Sequence, residues 1–247
     1  MIYHTISEAT SKGVKQLAVL IDPDKTDESL LPKLIGTINE FSVDYIFVGG
    51  SLLTQNFLEP CIENIKKHTA IPLVLFPGNL VQISHKADGI LLLSLISGRN
   101  AELLIGNHVI AAPLLRNSNL EIIPTGYMLI ESGKYTSALY MSNTNPIPAD
   151  KSDIAQSTAI AGEMLGLKII YMDAGSGAQN RVPLEMITGV KKTINIPLII
   201  GGGIRSTSDA VDAWQAGADI VVIGNAIEKN TGVIAQVSKA RDTLNAK

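Results

Sequence analysis

The chain has 247 residues, of which 46% are apolar and 17% charged, so it can bury one sizeable hydrophobic core. Its formal net charge is only −3 and its lysines and arginines are scattered, so we expect no nucleic-acid partner. Cys61 is the one cysteine, which excludes an internal disulfide and fits a reducing cytoplasm, and we interpret it as a packing residue.

The sequence also bears on membrane association. The start, MIYHTISEATSKG, lacks the charged-then-apolar layout of a secretory signal. The most apolar run, GILLLSLISG, is far too short to span a bilayer. We therefore expect a cytoplasmic protein without a transmembrane segment, whose only membrane contact would be peripheral.

Eight short apolar runs along the chain predict eight β-strands. They are LAVLID (17–22), YIFVGG (45–50), PLVLFP (72–77), GILLLS (89–94), IIPTGYMLI (122–130), KIIYMD (168–173), PLIIGG (197–202) and IVVIGN (220–225). Their continuous apolar character is typical of parallel strands that are buried on both faces. Amphipathic segments of helical length, such as STSDAVDAWQAGA, separate most of them. The alternation predicts a (β/α)8 TIM barrel in which residues 1–247 form a single domain, with an open doubly wound sheet as the alternative.

Two connections depart from the regular barrel pattern. Only GNLVQISHKAD separates the third and fourth predicted strands, which is short for a crossover helix, so we expect an irregular connection there. A much longer insert, which includes the Pro- and Asn-rich stretch NTNPIPADKS, separates strands five and six. Neither connection resembles a linker between domains.

Polar residues follow several of the predicted strands, and in such a barrel the carboxyl ends of the strands carry the active site. Asp22 and Lys25 follow strand one, and Ser51 follows strand two. Asp173 ends strand six and precedes AGSG, GGGIRS follows strand seven, and strand eight ends in Gly224 and Asn225.

The glycine-rich turns after strands seven and eight predict a phosphate site, because glycine lets backbone N–H groups approach an anion closely. Ser206, Thr207 or Ser208 would cap the helix that follows. The structural alternative is that these glycines only form tight strand-to-helix turns. The pattern indicates a class of substrate and leaves the reaction open.

Asp22 and Ser51 suit Mg²⁺, which takes few protein ligands and completes its shell with water and phosphate oxygens. Lys25 would add a positive charge; alternatively, Asp22 and Asp24 form a turn that caps the next helix. Asp173 would orient or deprotonate a substrate hydroxyl, or cap the turn behind it.

No histidine is expected in a Ser-His-acid arrangement, because none falls at a predicted strand end. The four histidines are His4, His68, His85 and His108. His108 lies in the helical stretch NAELLIGNHVI, and we interpret it as structural.

Taken in order, the motifs LIDPDK, FVGGS, LLLSLISGRN, YMDAGSGA, IIGGGIRS and VVIGNAIE resemble the geranylgeranylglyceryl phosphate synthase family over nearly the whole chain. The similarity is greatest to the branch with the longer AGSGA motif. Such prenyltransferases join sn-glycerol 1-phosphate to a polyprenyl diphosphate, which is geranylgeranyl diphosphate in the family's name. The products are a 3-O-prenylglyceryl phosphate, which is an ether-lipid precursor, and diphosphate.

The resemblance implies roles by position. Asp22 and Ser51 would hold Mg²⁺, and the catalytic groups would be Asp22, Lys25 and Asp173. The glycerol phosphate would be bound by Tyr171, Met172, Asp173, Ala174, Gly175, Ser176, Gly177, Gly202, Gly203, Gly224 and Asn225. Asp173 stands where many members carry glutamate, and Leu20 stands where some carry lysine. Members of this family also usually associate, so we expect a homo-oligomer.

The prenyl tail requires an apolar groove, which we expect beside the short connection after strand three. Two other interpretations fit the phosphate site. One is a sugar-phosphate isomerase or epimerase, which would not explain the Mg²⁺ pair or an apolar groove. The other is a barrel that binds phosphorylated ligands without turnover.

Overall fold

Eight parallel strands close into a barrel in chain order, and the first strand pairs with the last. The computed structural model describes residues 1–27, 29–55 and 57–246, and only the backbone of residues 228 and 229. The strands are β1 Gln16–Ile21, β2 Tyr45–Val48, β3 Leu73–Leu75, β4 Gly89–Leu95, β5 Glu121–Leu129, β6 Ile169–Asp173, β7 Leu198–Gly201 and β8 Ile220–Ile223. The pairing of Gln16 with Ile220 confirms the predicted TIM barrel, and the open doubly wound sheet is wrong.

Helices surround the sheet. They are α1 Ile2–Ser11, α2 Leu31–Glu40, α3 Leu58–His68, α4 Asn107–Arg116, α5 Ser137–Ser142, α6 Ser152–Met164, α7 Leu184–Lys191, α8 Thr207–Ala216, α9 Asn225–Lys229 and α10 Gly232–Asn245. A single π-helical turn, Glu102–Gly106, leads directly into α4. Within the described residues, no helix combines the length and the apolar character that crossing a bilayer requires.

The start of α8 follows from its sequence. The Ser206 hydroxyl accepts the backbone N–H of Asp209 at 3.1 Å, and the Asp209 carboxylate accepts the backbone N–H of Ser206 at 3.0 Å. This reciprocal pair is a capping box, so Ser206 is the N-cap among the three predicted candidates.

The predicted irregular connection between β3 and β4 is confirmed. Residues 76–88 form turns and bends with no helix, and β3 itself is three residues long. The connection between β5 and β6 instead carries two helices, α5 and α6, and a bridge between Ile130 and Ile147 holds it beside β5. The barrel wall therefore lacks a covering helix at one side and has an additional one at another.

Hydrophobic side chains pack on both faces of the sheet. Along β1, Leu17 and Val19 join the large cluster between sheet and helices, whereas Ala18 faces the barrel interior. This alternation follows from the pleat of a strand. Ile2 and Ile6 of α1 join the interior cluster, so α1 closes the amino-terminal end of the barrel.

Three buried or partly buried carboxylates brace that amino-terminal end. Each immediately precedes an even-numbered strand, accepts a backbone N–H from the preceding odd-numbered strand, and pairs with a cation. The sets are Asp44 with Leu17 and Arg241, Asp88 with Leu73 and Lys66, and Asp219 with Leu198 and Lys191. Because each carboxylate ties adjacent strands to a side chain on a helix, we infer that this end of the barrel supplies rigidity.

We expect Asp219→Ala to lower the free energy of unfolding by about 2 kcal/mol, because the Leu198 N–H and the Lys191 ammonium lose their acceptor. Urea unfolding checks this. Asp150→Ala is the matched control, because its pair with Lys151 is exposed and 3.5 Å long. Equal losses in the two variants would contradict the bracing role.

Candidate active site

The carboxyl ends of the strands surround a cavity of about 960 Å³. Of the residues predicted to form the site, those that line the cavity are Asp22, Lys25, Ser51, Tyr171, Asp173, Ser176, Gly177, Gly202, Gly203, Gly224 and Asn225. The barrel therefore gathers into one space side chains from loops that are distant in sequence.

Three predicted residues do not present a side chain to this cavity. Met172 and Ala174 are buried in the cluster between sheet and helices, because alternate residues of a strand face opposite sides. Gly175 is buried with its N–H bonded to Asp173. Met172 belongs to β6 itself, and Ala174 and Gly175 form the turn that follows it through their backbone.

Asp173 is the buried carboxylate at the centre of the site, with 6% of its surface exposed. Its Oδ2 accepts the Tyr127 hydroxyl at 2.6 Å, and its Oδ1 accepts the Gly175 N–H at 2.7 Å. Burial raises the pKa of Asp173, and the two hydrogen bonds oppose that rise because they stabilise the charged form. A carboxylate with a raised pKa is a stronger base, which suits the removal of a proton from a hydroxyl.

Tyr127 is a site residue that the sequence analysis missed. It lies inside β5 and is paired in register with Tyr171 of β6, so both rings face the cavity. Its one sequence signal was a polar-tipped aromatic residue within an apolar strand. Burial raises the pKa of both tyrosines, and the Asp173 charge adds to the effect, so the phenols stay neutral donors.

Three aromatic rings pack together in the floor of the cavity. Phe76 stacks on Tyr171 with ring centroids 5.0 Å apart, and Tyr127 meets both rings edge-on, at 5.8 Å and 5.5 Å. Together the rings form a polarisable aromatic surface beside the Asp173 carboxylate.

The Lys25 side chain lies between the loop after β1 and the turn after β6. Its ammonium lies 2.8 Å from the Asp22 carboxylate and 3.5 Å from the Ser176 hydroxyl. Ser176 in turn donates to the Asn225 side chain at 3.0 Å. A polar chain therefore runs from the end of β1 through the β6 turn to the end of β8.

Asp22 and Asp24 form a turn but do not cap the next helix. The Asp22 carboxylate accepts the Asp24 N–H at 3.2 Å, and Asp24 accepts the backbone N–H and the hydroxyl of Thr54. Helix α2 begins only at Leu31. Asp24 thus joins the loop after β1 to the loop after β2, and the helix-cap alternative is wrong.

The glycine turn after β7 packs backbone to backbone against the β6 turn. Gly202 and Gly203 both have φ of +73°, which favours glycine. A side chain at Gly202 would collide with the Asp173 carboxylate, and a Cβ at Gly203 would lie 2.9 Å from the backbone nitrogen of Arg181. Glycine is therefore required for close approach here as well as for the turn.

Asp22 and Ser51, the two residues predicted to hold Mg²⁺, both line the cavity. A Cβ on Gly50 would lie 3.1 Å from both Asp22 carboxylate oxygens, so the β2 turn runs directly beside that carboxylate. Ser51, the next residue, lines the same cavity. The described chain contains no group of three or more His, Cys, Asp or Glu side chains that could hold a metal ion. A few hard oxygen ligands with space for phosphate oxygens fit Mg²⁺.

The cavity continues as an apolar groove between the β3–β4 connection and α4. Leu80 and Ile83 line one side, and Leu103, Ala111 and Leu115 line the other. This groove lies where the short connection was expected to leave a gap.

His108 also lines the groove and is nearer to a strand than its sequence position suggested. Its Nε2 lies 3.3 Å from the Ser94 hydroxyl on β4, and its Nδ1 is buried without a hydrogen-bond partner among the described residues. With no carboxylate on Nδ1, the Ser94–His108 pair is not a catalytic triad.

Comparison with known proteins places the chain among relatives over almost its full length. The model of the PcrB family matches residues 12–241. A geranylgeranylglyceryl phosphate synthase of Chitinophaga pinensis is 50% identical over 239 residues, which cover 97% of this chain and 95% of that protein. One of Korarchaeum cryptofilum is 40% identical over 228 residues, covering 92% and 93% of the two chains.

Solved structures agree. The (S)-3-O-geranylgeranylglyceryl phosphate synthase of Thermoplasma acidophilum, in complex with sn-glycerol-1-phosphate, superposes with a TM-score of 0.92 at 29% identity, covering 98% of this chain and 99% of that one. A tryptophan synthase alpha chain of Legionella pneumophila, at 12% identity and a TM-score of 0.61, shares the fold alone.

Proposed function

The chain belongs to the PcrB family, and we propose that it is a Mg²⁺-dependent prenyltransferase that joins sn-glycerol 1-phosphate to a polyprenyl diphosphate. The products are a 3-O-prenylglyceryl phosphate and diphosphate, with geranylgeranyl diphosphate as the donor that the relatives' names indicate. The observation that carries the proposal is the lining of the cavity: glycine-rich turns and the polar side chains of Asp22, Lys25 and Asp173 line one end, and apolar side chains form a groove at the other. A sugar-phosphate isomerase or epimerase would have no use for that groove, and a phospho-ligand binder would bind its ligand without forming product.

The glycerol phosphate is assigned to the side of the cavity formed by β6, β7 and β8. There the turns at Gly202–Gly203 and Gly224–Asn225 offer backbone N–H groups to the phosphate. Asp173 lies against Gly202, so a glycerol held by its phosphate would place its hydroxyls near the carboxylate. The substrate named for the Thermoplasma acidophilum complex supports sn-glycerol 1-phosphate as the ligand.

The prenyl diphosphate is assigned to the side formed by β1 and β2, with its tail in the apolar groove. The Lys25 ammonium provides positive charge for the diphosphate, and Asp22 and Ser51 would hold Mg²⁺ there. When bound, the metal supplies charge stabilisation for the departing diphosphate. Leu103, Ala111 and Leu115 would contact the tail beyond the reacting carbon.

In the transfer, the bond between the allylic carbon and the diphosphate oxygen breaks, and that carbon forms an ether bond with the glycerol 3-oxygen. Asp173 accepts the hydroxyl proton, and the diphosphate leaves with the bonding electron pair. Lys25 stabilises the leaving charge, while the rings of Phe76, Tyr127 and Tyr171 exclude water from the electron-poor carbon. Tyr127 keeps the carboxylate oriented.

We expect the wild-type protein with Mg²⁺ to convert labelled sn-glycerol 1-phosphate and prenyl diphosphates of several lengths into solvent-extractable product. The sn-3 isomer should give no product, because the glycine turns after β7 and β8 would fix the phosphate while Asp173 fixes the hydroxyl. Asp22→Asn should lower the rate at least about a hundredfold, because it removes a charged ligand of the metal. No product at any tail length would refute the proposed reaction.

Tyr127→Phe tests the role of Asp173 as a base. Losing the phenol hydrogen bond removes stabilisation of the charged carboxylate, so the pKa of Asp173 rises further. Because transfer requires the ionised form, the acidic limb of the pH profile of kcat/KM should move to higher pH. Tyr135→Phe, an exposed tyrosine of the loop after β5, is the control. An unmoved limb in Tyr127→Phe would show that Asp173 is not the titrating base.

Self-association is also part of the proposal, and the outer face of α4 supports it. Val109 and Ile110 are both 65% exposed, and Leu114 continues the same apolar face. Glu102 and Arg116 lie at opposite ends of this segment. A two-fold antiparallel contact would therefore place each glutamate near the arginine of the other copy.

Light scattering tests this surface. The wild type should show a multiple of the 26.3 kDa chain mass, and Ile110→Glu should dissociate, because a buried unpaired charge is costly. Met164→Glu replaces a comparably exposed apolar residue on α6 and should leave the mass unchanged. Undiminished mass in Ile110→Glu would assign the contact to another face.

A further inference from the structure

Gln82 is a buried amide in the helix-free connection between β3 and β4, with 1% of its surface exposed. Its Nε2 donates to the Gly50 carbonyl at 2.8 Å, and its Oε1 accepts the N–H groups of Gly50 and Gly78, each at 3.2 Å. One side chain therefore satisfies both backbone polar groups of Gly50, much as a neighbouring strand would.

The turn that Gln82 holds is the one that carries Ser51. Beyond the end of β2 at Val48, the Gly49 N–H still donates to the Ile21 carbonyl of β1 at 3.1 Å, whereas both backbone polar groups of Gly50 are bonded to Gln82. The turn is also enclosed sterically. A Cβ at Gly49 would collide with the Phe76 carbonyl, and one at Gly78 would lie 2.9 Å from the Ser51 carbonyl oxygen.

On its other side the same turn contacts Asp22, whose carboxylate oxygens would lie 3.1 Å from a Cβ on Gly50. The end of β1, the turn after β2 and the β3–β4 connection are thus in direct contact. The hydrogen bonds described between the connection and that turn come from the Gln82 amide.

We propose that Gln82 is a positioning residue for the diphosphate side of the cavity. Its amide fixes the Gly49–Ser51 turn against Asp22, so that the Ser51 hydroxyl and the Asp22 carboxylate are presented together to the metal and the diphosphate. Gln82 acts through this turn and contacts neither substrate. This inference rests on the proposed function.

The neighbours of Gln82 extend its effect to the prenyl tail. Leu80 and Ile83, on the same segment, line the apolar groove. The glycerol phosphate cradle is built from the β6, β7 and β8 turns, and no hydrogen bond described for Gln82 reaches it. Loss of the amide should therefore weaken one substrate and spare the other.

The test compares Gln82→Met with Gln16→Met. Both replace a buried glutamine by a side chain of similar volume, but Gln16 lies at the opposite end of β1, where its amide donates to the Tyr45 hydroxyl. Calorimetry with inorganic pyrophosphate and Mg²⁺ measures the diphosphate side without turnover. Steady-state kinetics then give KM for each substrate and the Mg²⁺ concentration for half-maximal rate.

We expect Gln82→Met to weaken pyrophosphate binding about tenfold or more, as is common when a residue that orients metal ligands is removed. KM for the prenyl diphosphate and the Mg²⁺ requirement should rise, while KM for sn-glycerol 1-phosphate should stay within about twofold. Gln16→Met should change none of these values.

A second variant, Gln82→Glu, keeps acceptors for both N–H groups but loses the donor to the Gly50 carbonyl. It also adds a negative charge beside the Asp22 site, so it should weaken pyrophosphate binding as well. If Gln82→Met does not fold, the same binding and kinetic measurements are made on Gln82→Glu.

Wild-type-like pyrophosphate binding and KM values in the folded Gln82 variants would overturn the inference while leaving the proposed function intact. Equal increases in KM for both substrates would also overturn it, because they would indicate a general structural role. A wild type that binds pyrophosphate but makes no product would refute the proposed function alone.

Discussion

The buried carboxylate of Asp173 is the constraint around which the carboxyl end of the barrel is organised. Placed at the end of β6 with almost no contact with solvent, it takes hydrogen bonds from Tyr127 on one side and from the Gly175 N–H on the other. Gly202 must be a glycine because the same carboxylate occupies the space of its side chain. Strand β5, the β6 turn and the β7 turn are therefore positioned by one ionisable group, and the cost of burying it is the origin of its raised pKa.

The two ends of the barrel use carboxylates in opposite ways. At the amino-terminal end, Asp44, Asp88 and Asp219 each have both a backbone N–H and a cation as partners, so their charges are compensated within the protein. At the carboxyl end, compensation is partial: Asp22 has a lysine that also reaches toward Ser176, and Asp173 has neutral donors only. The first arrangement favours rigidity. In the second, the carboxylates keep negative charge that is free to interact with a ligand.

The barrel could be predicted from the sequence because each of the eight apolar runs is recognisable by itself, without knowing which strands pair. The sequence also located Asp22, Ser51 and Asp173, since strand ends meet at one face. Tyr127 and Gln82 were missed for a common reason: their partners are set by strand register and by the path of a loop, neither of which is visible in a local pattern. The alternation along a strand predicts that the Met172 side chain faces away from the cavity, whereas the motif suggested that every residue from Tyr171 to Gly177 binds substrate.

The helix-free connection between β3 and β4 has a consequence for how such a protein can change over evolution. Its thirteen residues, 76–88, supply both a wall of the apolar groove and, through Gln82, the support of the Ser51 turn, so substitutions there can alter two properties at once. The opposite wall is formed by Leu103, Ala111 and Leu115. Among the described hydrogen bonds, none links these residues to the Ser51 turn. Substitutions at these three positions would therefore change the groove without disturbing the Ser51 turn, whereas substitutions in the short connection would affect both.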